Sequence, residues 1–325
     1  MTRNRHDLRT VFYLAAMVAL LAYQWSRPGI CNWWLYPLTL YFSFAAAVIS
    51  HNHNHLATFR SRRLNLLTNY VLGLFYGHPV IGWIPTHNQN HHVYNNREGD
   101  VSRSPKLFKG NHLLSLAVYP TLTSLAQSRL IYAWLGELRR RNRRLFWSAI
   151  SEYVVFFGLM IGAFVLDWKK AVFLLVIPQQ AGLFAIQTVN FWQHIEADAE
   201  SEWNHSRNFT GDLLNALLFE NGFHTVHHLT PGAHWSTLRA LHREHASKIA
   251  PVLNQSAAHV WIARTYFAPL LGLRAAEKLV PEAALTACAC QRDDGAQPLS
   301  AIAAGSRPPA AGCSCPDRRS SGDSR

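Results

Sequence analysis

Long apolar runs that end in histidines constrain this chain more than any other feature of its sequence. Four runs, roughly residues 11–25, 32–49, 145–166 and 171–189, approach the ~20 mainly apolar residues that a bilayer-crossing helix needs. The first is short and borrows its flanks. An Arg-Pro-Gly turn at residues 27–29 and an Asp-Trp-Lys-Lys turn at residues 167–170 join them in pairs. The expected fold is therefore all-α and integral to a membrane, with two transmembrane helical hairpins. Charge orients them. The chain carries +12, and its arginines gather where runs end: Arg3, Arg5 and Arg9 before the first, Arg60, Arg62 and Arg63 after the second, Arg139 to Arg141, Arg143 and Arg144 before the third. Positive charge beside spans marks the cytoplasmic side, so both termini and the long connection are expected there. No recognition motif accompanies the charge, which argues against nucleic acid. The basic, then apolar start of the chain lacks a small-residue cleavage site and reads as an uncleaved anchor.

Nine of the 18 histidines fall into three clusters and one single site. They are His51 and His55; His87, His91 and His92; His194, four residues after Asn190; and His224, His227 and His228. Residues three or four apart share a helix face, and imidazole is a common ligand for transition metals. The first cluster begins where the second run ends, and Asn190 and His194 begin where the fourth ends. The topology thus delivers all nine imidazoles to the same side, as a helical cap holding a histidine-rich two-metal site. His53, His78, His205 and His234 read as ordinary structural histidines.

The donor set narrows the metal. Structural zinc sites usually include cysteine, and the five cysteines lie elsewhere: Cys31 near the outer end of a span, and Cys288, Cys290, Cys313 and Cys315 in the tail without CxxC spacing. Nine imidazoles fit two ions of four to five nitrogens each. Neutral ligands leave the metal charge uncompensated, so outer carboxylates are expected, with Asp100, Glu196 and Asp198 the candidates. Leu64 to Trp83 and His112 to Leu125 are further apolar stretches; the first, holding Asn65, Thr68, Asn69 and His78, reads as a shallow or interfacial helix.

The order HxxxH, HxxxHH, NxxxH, HxxHH over residues 30–250 resembles the membrane fatty acid desaturase superfamily, which includes related hydroxylases and alkane monooxygenases. The resemblance implies that His51, His55, His87, His91, His92, His194, His224, His227 and His228 hold two irons, with Asn190 a water-mediated partner, and that Asn95, Asn96 and Asp100 match the polar stretch after the second box. It implies a di-iron fatty acyl desaturase using O2 and two electrons. The sequence His194-Ile195-Glu196 departs from the His-Tyr-Gly of alkane enzymes and favours an acyl substrate, carried on lipid, coenzyme A or acyl carrier protein. Electrons must come from a separate protein, such as a ferredoxin or cytochrome b5, because no flavin or dinucleotide motif is present. Hydroxylation, triple-bond formation or alkene-forming decarboxylation at the same site are alternatives. A histidine-rich membrane metal transporter or sensor is an alternative of another class. Residues 1–282 form the expected domain, and residues 283–325, rich in Ala, Gly, Ser, Pro and Arg, an expected disordered tail.

Overall fold

The structure, a computed structural model, describes residues 1–105 and 110–279; the tail and its cysteines lie outside the described residues. Helices α1 (Asp7–Ser26) and α2 (Tyr36–His55) form an antiparallel pair, tied where Gln24 donates to Thr39 (2.7 Å). α2 carries no breaker before Leu56 and so runs on past the apolar stretch through the first histidine cluster. His51 and His55 therefore lie one turn apart on one face.

The stretch read as a shallow helix behaves otherwise. α3 (Arg62–Tyr76) packs on α2, α6 and α7 and runs antiparallel to α2 until Ser43 donates to the Phe75 carbonyl (2.6 Å). There the chain turns back at Gly77, whose φ of 90° suits glycine. A Cβ at that position would also lie 2.7 Å from Gln179 Cβ. A 3-10 turn, Val80–Gly82, and a π-helical segment, Ile84–His91, return it to the level from which α3 started, followed by the single turn α4 (His92–Tyr94). Of the polar residues in this stretch, Asn69 and His78 serve the turn, whereas Asn65 bonds to Phe59 and Thr68 to the Leu64 carbonyl. Glu152 of α6 accepts from Asn69 Nδ2 and from the Ile81 N–H, both at 2.8 Å, which pins the hairpin to its neighbour.

α5 (Leu113–Arg141) leads through Asn142 into α6 (Arg143–Ala171). Asp167 breaks α6 with non-helical torsions, and its carboxylate accepts from the N–H groups of Lys169 and Lys170 (3.1 Å each), as an N-cap does. A π-helical turn, Val172–Val176, and α7 (Ile177–His194) follow. α7 packs closely on α2 because Gly182 faces Ser43, where a Cβ would meet backbone at 2.9 Å. Two stretches among the described residues, Asp7–Ser26 and Arg143–His194, are long and apolar enough to cross a membrane. The second is two helices in series, divided at Asp167.

Beyond α7 come β1 (Asn208–Phe209), α8 (Asp212–Leu217), α9 (His224–Leu229), α10 (Leu238–His245) and β2 (Asn254–Gln255). β1 and β2 pair in parallel. Buried Arg207 donates through Nη1 to the carbonyls of Trp192 (2.6 Å) and Ile195 (3.1 Å), closing the C-terminus of α7 with a cation where the helix dipole favours one. Asn208 holds α9 by accepting from the Thr225 N–H (2.9 Å). Trp235 packs edge-on against Phe219.

Candidate metal centre

All nine histidines of the clusters converge, and they sort into two groups. His51, His55, His87, His92 and His227 form one, and His91, His194, His224 and His228 the other; within each, one ring nitrogen per residue lies within 4.8 Å of the rest. The division cuts across the sequence clusters. His91 and His92 are neighbours but point into different groups, as do His227 and His228, because successive helical residues project roughly 100° apart.

The Nε2 atoms of His51, His87, His92 and His227 make a ring with sides of 2.8, 3.0, 3.1 and 3.0 Å. The centre of a flat ring of that size is about 2.1 Å from each nitrogen, the length of a metal–imidazole bond. Tautomers alternating around the ring would pair each N–H with a neighbouring lone pair, leaving Nδ1 of His51 and of His92 without a partner. Four imidazole nitrogens aimed at one centre at this spacing are also a ready ligand set for a single cation. In the second group Nε2 of His194 lies 3.1 Å from that of His91 and 2.9 Å from that of His224. Nε2 of His224 lies 3.1 Å from that of His228.

Burial, followed by the charge of neighbouring rings, holds His87, His92, His224, His227 and His228 below the ordinary histidine pKa. The rings are therefore neutral at pH 7, the form that ligates a metal.

The outer candidates divide. His91 Nδ1–H donates to Asp100 Oδ2 (2.8 Å), and the same carboxylate accepts from the N–H groups of Asn96 (2.8 Å) and Ser102 (2.7 Å). Burial alone would raise the Asp100 pKa; His91 and these N–H donors outweigh it and hold the carboxyl below its usual range. The chain reaches this position through Asn95 and Asn96, both at positive φ, a conformation asparagine tolerates. Glu196 instead pairs with Lys278 (2.6 Å), and Asp198 accepts from the Glu200 N–H (3.2 Å); neither contacts a cluster histidine among the described residues. His194 Nδ1–H donates to the His205 carbonyl (3.3 Å). Asn190 donates to the Tyr119 hydroxyl (2.8 Å). His53 faces away from both groups, its Nδ1 accepting from the Thr58 N–H (3.2 Å).

A cavity of about 130 Å³ opens beside the rings of His51, His87 and His224, between the re-entrant segment, α5 and α7. Trp83, Gln127 and Gln187, which line it, were not singled out from the sequence. The available signal was Gln187, Asn190 and Gln193 at three-residue intervals, a polar face on an apolar helix.

A profile of fatty acid desaturases matches residues 6–258. The chain belongs to the fatty acid desaturase family. Among curated relatives of this desaturase-family chain is a dihydrorhizobitoxine desaturase of Bradyrhizobium elkanii, 24% identical over 257 residues, which cover 68% of this chain and 70% of the relative. The family match spans all nine clustered histidines, and the two groups they form in this desaturase-family member could each hold a metal ion.

Proposed function

We propose that the protein is an integral-membrane di-iron desaturase of acyl-type chains, with His51, His55, His87, His92 and His227 holding one iron and His91, His194, His224 and His228 the other. The observation that carries this reading is the convergence of nine buried or half-buried imidazoles as five and four, each group close enough to hold one ion. Irons held there supply the dioxygen and one-electron chemistry that amino-acid side chains lack.

The protein's own part is positional. α2, the π-helical segment, α7 and α9 fix the ligand rings, and Asp100 fixes the tautomer of His91 and offsets charge. The cavity presents a carbon chain to the rings and excludes bulk water. In the overall reaction one CH2–CH2 unit gives up two hydrogens, an external donor gives two electrons, two protons enter, and O2 leaves as two waters. A ferredoxin or cytochrome b5 suits the donor's role, since the basic residues flanking the helices favour an acidic partner.

α1 and α2 make one membrane hairpin in this reading, and the halves of Arg143–His194 the other, with the termini and the rings on the cytoplasmic side. The apolar side chains of α6 support it: Val154, Phe157, Ile161 and Val165 all point outward, and Val165 is 81% exposed. That pattern is costly in water and fitted to lipid. The re-entrant α3 supports it too, because its early turn keeps the second histidine cluster on the side of the first.

Purified protein given a reductase system and a mixed pool of saturated acyl chains tests the reading. Products lighter than substrate by about two mass units are expected, the mass of the hydrogens lost to the cofactor chemistry. A gain of about sixteen alone would make the protein a hydroxylase at the same centre. Bound metal that supports no oxygen consumption would remove the oxidative reading and favour the transporter or sensor.

A further inference from the structure

The cavity beside the rings is short, and polar side chains stand among its mainly apolar surface, which a long plain hydrocarbon does not need. On α7 its lining runs from Gln193 and Asn190 through Gln187 to Leu183, and on the re-entrant hairpin it stops at Tyr76 and His78. From Asn190 to Leu183 is about 10 Å at the helical rise. The turn at Gly77 closes it from below, packed against Gln179 and Leu183. Its volume of about 130 Å³ resembles that of a cavity that holds a benzene-sized group. A fully apolar lining is the usual solution for apolar ligands. Here only Leu183, Ile186, Ile131 and Gly82 lack a polar side chain.

The hydrogen bonds show which groups are spoken for. Tyr119 donates its hydroxyl proton to the Ser102 carbonyl (2.6 Å), so its oxygen must accept from Asn190 Nδ2 (2.8 Å). Gln187 Nε2 donates to Gln127 Oε1 (2.8 Å), and Gln127 Nε2 donates to Ser102 Oγ (3.2 Å). The Tyr119 bond sets the Asn190 amide, whereas the Gln187–Gln127–Ser102 chain runs in either sense because the Ser102 hydroxyl donates or accepts. Among the described residues, no partner reaches Asn190 Oδ1 or the second amide atom of Gln187. The two side-chain amides that line the cavity next to the clustered histidines thus keep one atom each for a ligand with a polar group.

The geometry points to a short aliphatic substrate that carries a hydroxyl or amino group within a few bonds of the carbons oxidised, bound through Gln187 and Asn190. This inference rests on the proposed oxidising centre for its chemistry, but the recognition can be read without turnover. The iron-loaded full chain, kept anaerobic and without an electron donor, is titrated calorimetrically with octanoate, palmitate, and positional series of monohydroxy- and monoamino-octanoates. At least one substituted octanoate is expected to bind about tenfold or more tighter than octanoate, the scale of one satisfied buried hydrogen bond. The hydroxy and amino series identify which group is read. Gln187→Met should abolish that preference, read as the ratio of the two affinities; if this variant does not fold, Gln187→Leu is read in the same way. Tightest binding by palmitate or octanoate, or a preference that survives the apolar substitution, overturns the inference. A substituted octanoate bound tightly but never oxidised under turnover conditions would sink the desaturase reading and leave this one standing.

Discussion

The two imidazole groups share their chemistry and differ in their support. The five-histidine group draws on α2, the π-helical segment, α4 and α9, and no carboxylate touches it among the described residues; Nδ1 of His51 and of His92 is left without an acceptor. The four-histidine group has one ring fewer and is braced at two rings, by Asp100 on His91 and by the His205 carbonyl on His194, while Nδ1 of His224 has no partner either. One group has more rings, the other more rings held from outside. A neutral donor set gains charge compensation either way only through outer groups, so the braced site depends on single residues more strongly than the crowded one.

That difference can be broken most directly at His91. His91→Ala removes both a ring and the anchor of Asp100, and is expected to abolish turnover and lower bound iron to about one per chain. His55→Ala leaves four rings in its group and should retain more iron; metal analysis of the two purified variants decides, and equal losses would erase the distinction. Next comes Asp100→Asn, which keeps the shape but removes the charge. It should weaken metal binding at the four-histidine group by about 10- to 100-fold, leaving the other ion in place on chelator challenge.

Acid should act on both groups alike. The folded-state pKa values of His87, His92, His224, His227 and His228 are depressed by burial, while free imidazoles titrate near about 6.5. Below that value the unfolded, metal-free chain binds more protons than the folded one. Stability is therefore greatest above the unfolded pKa and falls as pH drops beneath it. Thermal melts of the detergent-solubilised protein across this range should show a falling midpoint with acid; a flat profile would mean the rings are not held neutral. The smallest effect belongs to His53, inside the first cluster by sequence but outside both groups in space. His53→Asn should leave the iron content unchanged and cost no more than about 1.5 kcal/mol, the loss of one modest hydrogen bond.

Much of the site was legible because ligand spacing is local. A helix places residues four apart on one face whatever else the chain does, so His51 with His55 and His224 with His228 could be paired on sight. The turn residues likewise marked the break at Asp167, and α1, α2 and the two halves of Arg143–His194 lie where the apolar runs put them. The carboxylates were harder. Asp100, Glu196 and Asp198 are equally close to a cluster along the chain, and only the asparagine turn at positive φ brings Asp100 back to His91. The packing of α3 on α2, α6 and α7 was not visible in its polar residues. In the fold Asn69 bonds to Glu152 of α6, Asn65 to Phe59 and Thr68 to the Leu64 carbonyl, and polar groups in a packed bundle are tolerated where such partners exist.

The amino-acid sequence by itself determined the donors of the candidate centre: imidazoles, carried at the ends of apolar helices. Those properties belong to side-chain chemistry and to helical periodicity, which act over a single turn. The tertiary structure alone decided the division into five and four, the choice of Asp100, and the short cavity beside the rings. Each depends on where residues far apart in the chain meet, and on the angle at which adjacent histidines leave the backbone, so no local pattern could carry them.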